Sequence, residues 1–309
     1  DEFVLLSLNL SEDMPTAAAQ AEVISKKILN AMRLPLQLDA INYRCSGSIG
    51  LTLFGNKPVS VDDLLKQADL AMYLAKERGK DTAVFFDPLL QTAMMERNAM
   101  QCDLKDAAMN LSQFSLYHQP QVTADGRIVG TEAMLRWNHP RRGMVMPSEF
   151  IKMAEENGLI VVIGDWVLQT ACAQLARWSG DPRLSYLTMA VNVSARQFCE
   201  PHFVQSVANA VEHYGVEPGK LKIELTESQL STNVDEIIGK MNDLKKLGIT
   251  FSLDDFGTGY SSLAFLKRLP IDQVKIDKYF VMDLLDDPDD AAIAGTIMSL
   301  AGSLGLEAI

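Results

Sequence analysis

Asp254 and Asp255 close the apolar run ITFSL (249–253), and a glycine-rich segment follows them. The run reads as a buried strand and the glycines as a tight turn, so two acids sit where a strand stops. Adjacent carboxylates in that place suit a hard cation, which prefers charged oxygen ligands. An acidic, solvated loop is the competing reading. The pattern recurs, however. SYLTMAVNVS (185–194) brings Asn192, LKIELTES (221–228) brings Glu224 and Glu227, and DQVKIDKYF (272–280) brings Lys275 and Asp277. Upstream, RIVGTEAMLRW (127–137) carries Glu132 and Arg136. Asn192, Glu224, Asp254 and Lys275 follow one another at intervals of 32, 30 and 21 residues. Such intervals fit one strand, one helix and two loops, the repeating unit of a parallel barrel or sheet. Barrel enzymes carry their catalytic groups on the C-terminal strand ends, so these side chains are expected to converge on one mouth.

The elements that must position them can be read from periodicity. In the N-terminal part, FVLLSLNL (3–10) reads as a strand, 15–33 and 61–78 as helices, 36–54 as a β-hairpin and TAVFF (82–86) as a last strand. Residues 88–110 contain no glycine and several Met and Ala, which predicts a continuous helix between two domains. A length of 309 residues is consistent with two domains. The net charge of −12 excludes a basic nucleic-acid footprint, although metals and a few cations can still neutralise a small phosphodiester locally. No apolar run reaches the ~18 residues expected of a membrane span, and the densest, GLIVVIGDWVL (158–168), is broken by Asp165. Cys45, Cys102, Cys172 and Cys199 have no zinc or CxxC spacing and are expected to be reduced, mostly buried thiols of a cytosolic protein. A full-length protein could still be membrane-tethered through segments outside this chain.

Six blocks in order carry a family resemblance: GTEAMLRWNHP, PSEFIKMAEENGLI, NVS, ELTES, DDFGTGYSSL and KIDKYFV. Residues 111–309 resemble an EAL domain, the family that hydrolyses the bacterial second messenger cyclic di-GMP, with Glu132-Ala133-Met134 as the signature. SIGLTLF (48–54) and VDDLLKQADLAMYLAKERGKD (61–81) resemble the C-terminal half of a GGDEF domain, the diguanylate cyclase fold, here spanning 1–87. The fold implied is α/β: an EAL-type TIM-like barrel, preceded by part of an α+β cyclase-like domain and joined to it by the helix 88–110. The family pattern continues beyond Ile309 into the last strands and a further metal-site Glu. The barrel in this chain is therefore expected to be truncated and, alone, poorly active.

The chemistry implied is metal-dependent hydrolysis of cyclic di-GMP to linear pGpG. Cleaving a phosphodiester needs an activated water, neutralised phosphate oxygens and a stabilised leaving alkoxide, and two divalent metals meet all three demands. Glu132, Asn192, Glu224 and Asp254 offer the carboxylate and amide oxygens that Mg²⁺ or Mn²⁺ requires, with Asp255 available to a second ion. The resemblance implies Lys275, Glu227 and Asp255 as catalytic residues. It places Lys275 on the attacking water and Glu227 in support of the loop after Asp255. It implies Arg136, Gln119 and Asp277 as substrate contacts, with Arg136 on a phosphate and Gln119 near a guanine. Other readings stay open: a surface pair of Glu132 and Arg136, a Lys275 that merely balances Asp277, and a Gln119 that faces a turn. His118 and His139 read as satisfied structural histidines. The GTG of the loop is expected to bend the backbone so that both aspartates face the mouth. A non-catalytic cyclic di-GMP receptor and a bifunctional protein that makes the messenger or binds GTP at its cyclase-like part are the competing functions. A homodimer is expected.

Overall fold

The computed structural model describes residues 2–38, 41–43, 45–55, 59–227, 229, 234–257, 266–284 and 286–309. It divides into two compact units, Asp1–Gln101 and Cys102–Ile309. In the first unit, helix α1 (Met14–Met32) starts at Asp13, whose carboxylate accepts from the Thr16 amide at 3.1 Å, and buries Ala17, Ala21, Ser25 and Leu29. Those positions repeat every four residues, so one stripe of the helix is covered. Strands β1 (Leu36–Leu38) and β2 (Ile41–Tyr43) form an antiparallel hairpin. Strand β3 (Ile49–Leu51) pairs in parallel with β4 (Ala83–Phe85), and α2 (Val61–Glu77) is the crossover between them. The expected hairpin over 36–54 is thus confined to its first half, because parallel strands demand an intervening crossover. The expected strand at 3–10 is not formed. Phe3, Val4, Leu5, Leu6 and Leu8 are exposed, and a β-prone run without a ladder partner has nothing to pay for its ordering.

Helix α3 (Pro88–Asn110) begins in the first unit and ends in the second. The second unit starts as the antiparallel pair β5 (Phe114–Val122) and β6 (Ile128–His139), with β7 (Gly143–Val145) on β6. Helices α4 (Pro147–Glu156) and α5 (Leu159–Ser179) lead to β8 (Thr188–Asn192). Helices α6 (Ala195–Cys199) and α7 (Phe203–Tyr214) lead to β9 (Leu221–Thr226), and α8 (Val234–Lys246) leads to β10 (Thr250–Phe256). Strand β11 (Gln273–Ile276), helices α9 (Tyr279–Met282) and α10 (Pro288–Leu304), and β12 (Glu307–Ala308) complete it. Among the described residues the strand order is β12-β11-β10-β9-β8-β6-β5, an open path in which every pair is parallel except the antiparallel β6–β5. Helix α5 is long and apolar enough to cross a bilayer. In this fold it buries Ile163, Val167, Leu168, Ala171 and Leu175, and its Asp165 accepts a hydrogen bond from Ser206.

Alternation along the strands sorts the sheet into two chemically distinct faces. Ala133, Met189, Val191, Ile223, Leu225, Phe251, Leu253 and Val274 lie on one face, all buried. Alternate positions put Glu132, Asn192, Lys222, Glu224, Ser252, Asp254, Gln273 and Lys275 on the other. The apolar face carries the packing, and burying each of its large side chains is worth about 1.5–3 kcal/mol. The polar face is therefore free to carry chemistry. Of the cysteines, only Cys172 is buried, its thiol pushed up to about 11 by desolvation; Cys45, Cys102 and Cys199 are exposed, contrary to the expectation for core thiols.

Gly50 shows how tightly the first unit is closed. A Cβ there would stand 1.9 Å from the Ala68 carbonyl oxygen of α2, so strand and helix touch backbone to backbone. Gly50→Ala should destabilise the first unit by at least ~2 kcal/mol in urea unfolding, since overpacking against backbone cannot relax by a rotamer change. The second unit's transition should not move; an unchanged first transition would refute the contact.

Candidate active site

Three strands bring carboxylates to the ammonium of a fourth, and a fifth adds an amide beside them. Lys275 Nζ donates to Glu132 Oε2 at 3.0 Å and to Glu224 Oε2 at 2.9 Å, and lies 3.2 Å from Asp254 Oδ1. Asn192 Nδ2 donates to Glu132 Oε1 at 2.6 Å. Register dictates this meeting. Glu132 pairs with Ala190, Asn192 with Glu224, Glu224 with Ser252, and Ser252 with Gln273, so each next chemical group sits level with or two residues beyond its neighbour. The surface pairing of Glu132 with Arg136 and the simple balance of Lys275 by Asp277 are not what the side chains do.

The tandem acids reach this place through a bulge. Between Leu253 and Phe256, β10 carries one residue more than β11, and Asp255 has φ 53°. In a regular strand Asp254 and Asp255 would point to opposite faces. The extra residue, in the left-handed region that Asp tolerates better than most side chains, re-aims the second carboxylate. Gly257, at φ 103°, follows, and its amide donates to Glu227 Oε2 at 3.3 Å from a buried carboxylate. The bend expected of the GTG is thus made at Asp255 and Gly257; Thr258 and Gly259 lie outside the described residues. Asp277 hydrogen-bonds Asp255 and accepts from the Tyr279 amide at 2.7 Å, tying the end of β11 to α9.

The remaining expected residues are nearby on the same pair of strands. Gln119 is exposed and stands opposite Glu132 in the β5–β6 ladder. Arg136 donates to the Leu135 carbonyl at 2.8 Å and its guanidinium lies 5.5 Å from the Tyr117 ring centroid. His139 is satisfied: Nδ1 accepts from the Arg141 amide and Nε2 bonds Asp103 at 3.0 Å. His118 differs from expectation, since its Nδ1 is buried without a partner and the ring packs edge-on against Trp178. Lys222, Ser252 and Gln273, below the carboxylates on the same face, are the polar residues that motif reasoning passes over. The alternation of Lys222, Glu224 and Thr226 in LKIELT is the signal that finds them.

Electrostatics follow from burial. Desolvation pushes the Glu224 carboxyl up to about 7, Lys275 pulls it down, and the neighbouring Glu132 raises it again. Asp255 is pushed up to about 6 by desolvation, then by Asp254 and its contact with Asp277. Burial acts to lower the Lys275 pKa, but Glu224, Glu132 and Asp254 overcome it and hold the ammonium above its ordinary value. The residues fit a divalent cation. The donors are hard oxygens, Glu224 Oε1 is buried without a partner, and the carboxylates already draw a positive charge between them. Among the described residues no His, Cys, Asp and Glu are yet gathered as a metal gathers its ligands; the carboxylates are gathered by Lys275 instead.

The EAL domain model matches residues 101–309, and the diguanylate cyclase GGDEF domain model matches 1–82. The chain belongs to the EAL family. It is 38% identical to the bifunctional diguanylate cyclase/cyclic di-GMP phosphodiesterase MucR of Pseudomonas aeruginosa, covering 100% of this chain and 44% of that protein. It is 34% identical to the cyclic di-GMP phosphodiesterase PdeR of Escherichia coli K12, covering 100% of this chain and 45% of that protein. The chain therefore spans less than half the length of these relatives. A solved structure described as the PaMucR phosphodiesterase in complex with c-di-GMP matches with a TM-score of 0.65 and 41% identity, over 68% of this chain and 85% of that one. The fold is thus the EAL α/β fold, preceded by part of a GGDEF domain, and EAL phosphodiesterases are metal-dependent enzymes. Within the EAL unit, the block GTEAMLRW forms β6, ELT ends β9, DDF ends β10 and KI ends β11.

The raised acids set a pH dependence for the metal-free protein. A carboxyl whose folded pKa lies above its unfolded value contributes stability below the unfolded value and loses it as pH rises through the folded one. For Glu224 that window runs from 4.5 to about 7. In EDTA, Glu224→Gln should therefore gain stability relative to the wild type as pH rises through this window, measured by chemical denaturation. A difference independent of pH would show that Glu224 ionises normally.

Proposed function

We propose that the EAL unit hydrolyses cyclic di-GMP to linear pGpG with two divalent cations, Mg²⁺ or Mn²⁺. The observation that carries this is the convergence of Glu132, Asn192, Glu224 and Asp254 from four adjacent strands, with Lys275 from a fifth. The names of MucR and PdeR as cyclic di-GMP phosphodiesterases support the substrate. The cations would be held by those four side chains and Asp255, and would lower the pKa of a water and neutralise phosphate oxygens. Asn192 would offer its Oδ1. Lys275 is the cationic donor that orients the attacking water. Arg136, steadied over Tyr117, presents a forked donor to a phosphate. Asp277 keeps Asp255 in place, Glu227 fixes the Gly257 amide behind it, and Gln119 borders the substrate opposite Glu132. One water adds to phosphorus, the bond from phosphorus to the 3′ oxygen breaks, and that oxygen leaves with a proton.

The full-length protein incubated with cyclic di-GMP and Mg²⁺ should yield the linear dinucleotide, and excess EDTA should stop the reaction. Undiminished turnover in EDTA would remove the two-metal reading. Tight binding with the nucleotide returned uncut would assign the unit as a receptor instead. Ca²⁺ should serve poorly, because its looser shell does not enforce octahedral placement.

Glu132→Ala or Asp254→Ala should lower the rate at least ~10³-fold while the fold persists, since each removes a ligand rather than packing. Arg136→Ala should raise KM and leave Mn²⁺ affinity unchanged. Near-normal turnover in Glu132→Ala would show that the signature glutamate is not a ligand.

A further inference from the structure

A second ammonium lies beneath the first. Lys222 sits on β9 two residues before Glu224, on the same face, and is half-buried. Its Nζ donates to Gln273 Oε1 at 3.0 Å, and Gln273 Nε2 donates to Glu307 Oε2 at 3.2 Å. Gln273 is 2% exposed and stands two residues before Lys275 on β11. Ser252, register partner of both Glu224 and Gln273, is 1% exposed with its hydroxyl unpartnered. Lys222 thus bridges from β9 to β11 under β10, forming a floor directly below the carboxylates. Its charge is felt there: burial lowers its pKa, while Glu307, Glu224 and Asp272 act to raise it.

From this placement we infer that Lys222 is a positioning residue whose fixed charge weakens divalent-cation binding at the mouth. The inference rests on the reading of Glu132, Asn192, Glu224 and Asp254 as cation ligands. Glu132, Glu224 and Asp254 bring three negative charges and Lys275 one positive charge. Lys275 is long, rooted at the mouth and able to turn toward a water or phosphate when a cation takes its place. Lys222 is not displaced in the same way, because its ammonium donates to the neutral amide of buried Gln273 and not to the carboxylates that a cation would claim. It therefore remains under the site in both states, attracting the carboxylates when no metal is present and repelling a cation when one arrives. Through a poorly screened interior such a repulsion acts over several ångströms. Its effect is to keep the metal-free carboxylates from splaying, at the expense of metal affinity.

The test is Mn²⁺ binding to the full-length, chelator-stripped protein, followed by titration calorimetry without nucleotide. Lys222→Met should bind Mn²⁺ at least about tenfold more tightly than the wild type, which is what removing one charge ~7 Å away, the span of two strand residues, gives even at a water-like dielectric constant. Lys222→Arg, which keeps the charge, should stay within about twofold of wild type by the same reasoning. A merely structural lysine would give the opposite sign, because a disturbed floor loosens the ligands. Lys222→Gln can still reach Gln273 with an amide and carries the same expectation as Lys222→Met if the latter does not fold. Equal or weaker Mn²⁺ binding in a folded, uncharged variant overturns the inference. So does failure of both uncharged variants to fold while Lys222→Arg folds. A wild type that binds no Mn²⁺ overturns the metal site itself, and this inference with it; a wild type that binds, with Lys222→Met no tighter, overturns only the role of Lys222.

Discussion

The contact on which the site depends is the Lys275 ammonium among Glu132, Glu224 and Asp254. Three carboxylates delivered by three strands repel one another, and without a cation at their centre the strand ends would be pushed apart. Lys275 prevents this at distances of 2.9–3.2 Å, in a place where its own side chain is 14% exposed. Poor screening makes each attraction strong and each unpaired oxygen costly. The same contact therefore organises the site and leaves it strained: Glu224 Oε1 has no partner, and its carboxyl gives up its proton only near neutrality.

Such a cluster can exist because the sheet separates its two tasks. The face toward the helices is made of Met189, Val191, Ile223, Leu225, Phe251 and Leu253, which are nearly inaccessible to water. That burial stabilises the unit through apolar area alone, and no residue on it needs to do chemistry. Parallel pairing then transmits a common register across β6, β8, β9, β10 and β11, so alternate positions stack into layers. The upper layer holds the carboxylates and Lys275, the lower one Lys222, Ser252 and Gln273. Barrel interiors are more often layered with branched apolar side chains. Here the interior face is polar over two layers, and the helices' side of the sheet carries the packing instead.

Much of this is legible in the sequence, and the exceptions have physical reasons. The interval between strand ends and the acids closing each apolar run identify the convergence, because both are local patterns. The bulge at Asp255 is not legible: DD after ITFSL specifies acids at a strand end, but the extra residue in the ladder exists only relative to β11. The lower polar layer is legible in principle from the alternation in LKIELT and QVKI. Single polar residues inside strands look like surface positions until register shows that Lys222 and Gln273 share a face. In the first unit, FVLLSLNL has strand propensity in full, yet a strand is a relation between segments, and nothing described lies beside it. The hairpin at 36–54 fails halfway for the opposite reason: Ile49–Leu51 finds a better partner in Ala83–Phe85, at the far end of a crossover helix. Among the cysteines, composition alone could not separate Cys172, whose position on the packed face of α5 buries it, from the three exposed ones.

The energetics argue that the cluster is not kept for stability. Buried ion pairs are weak devices for stability, because desolvating each charge cancels most of the attraction, and apolar replacements of similar volume are often neutral or stabilising. This cluster is worse than a balanced pair. Glu132, Glu224 and Asp254 against Lys275 leave two negative charges uncompensated at the mouth. Burial is the main cause of the upward displacement of Glu224, and Glu132 and Asp254 add to it against the pull of Lys275. Protonation of Glu224 relieves part of the excess until the pH approaches about 7. One divalent cation would bring the same four side chains to neutrality at once, using the oxygen that the protein leaves unpartnered, and would free Lys275 for another acceptor. A second ion, beside Asp255, would meet a carboxyl that Asp254 and Asp277 already disfavour as an anion. Both displaced carboxyls thus sit where a cation would restore them to their charged forms, so the strain of the site would be relieved by the ions proposed for it.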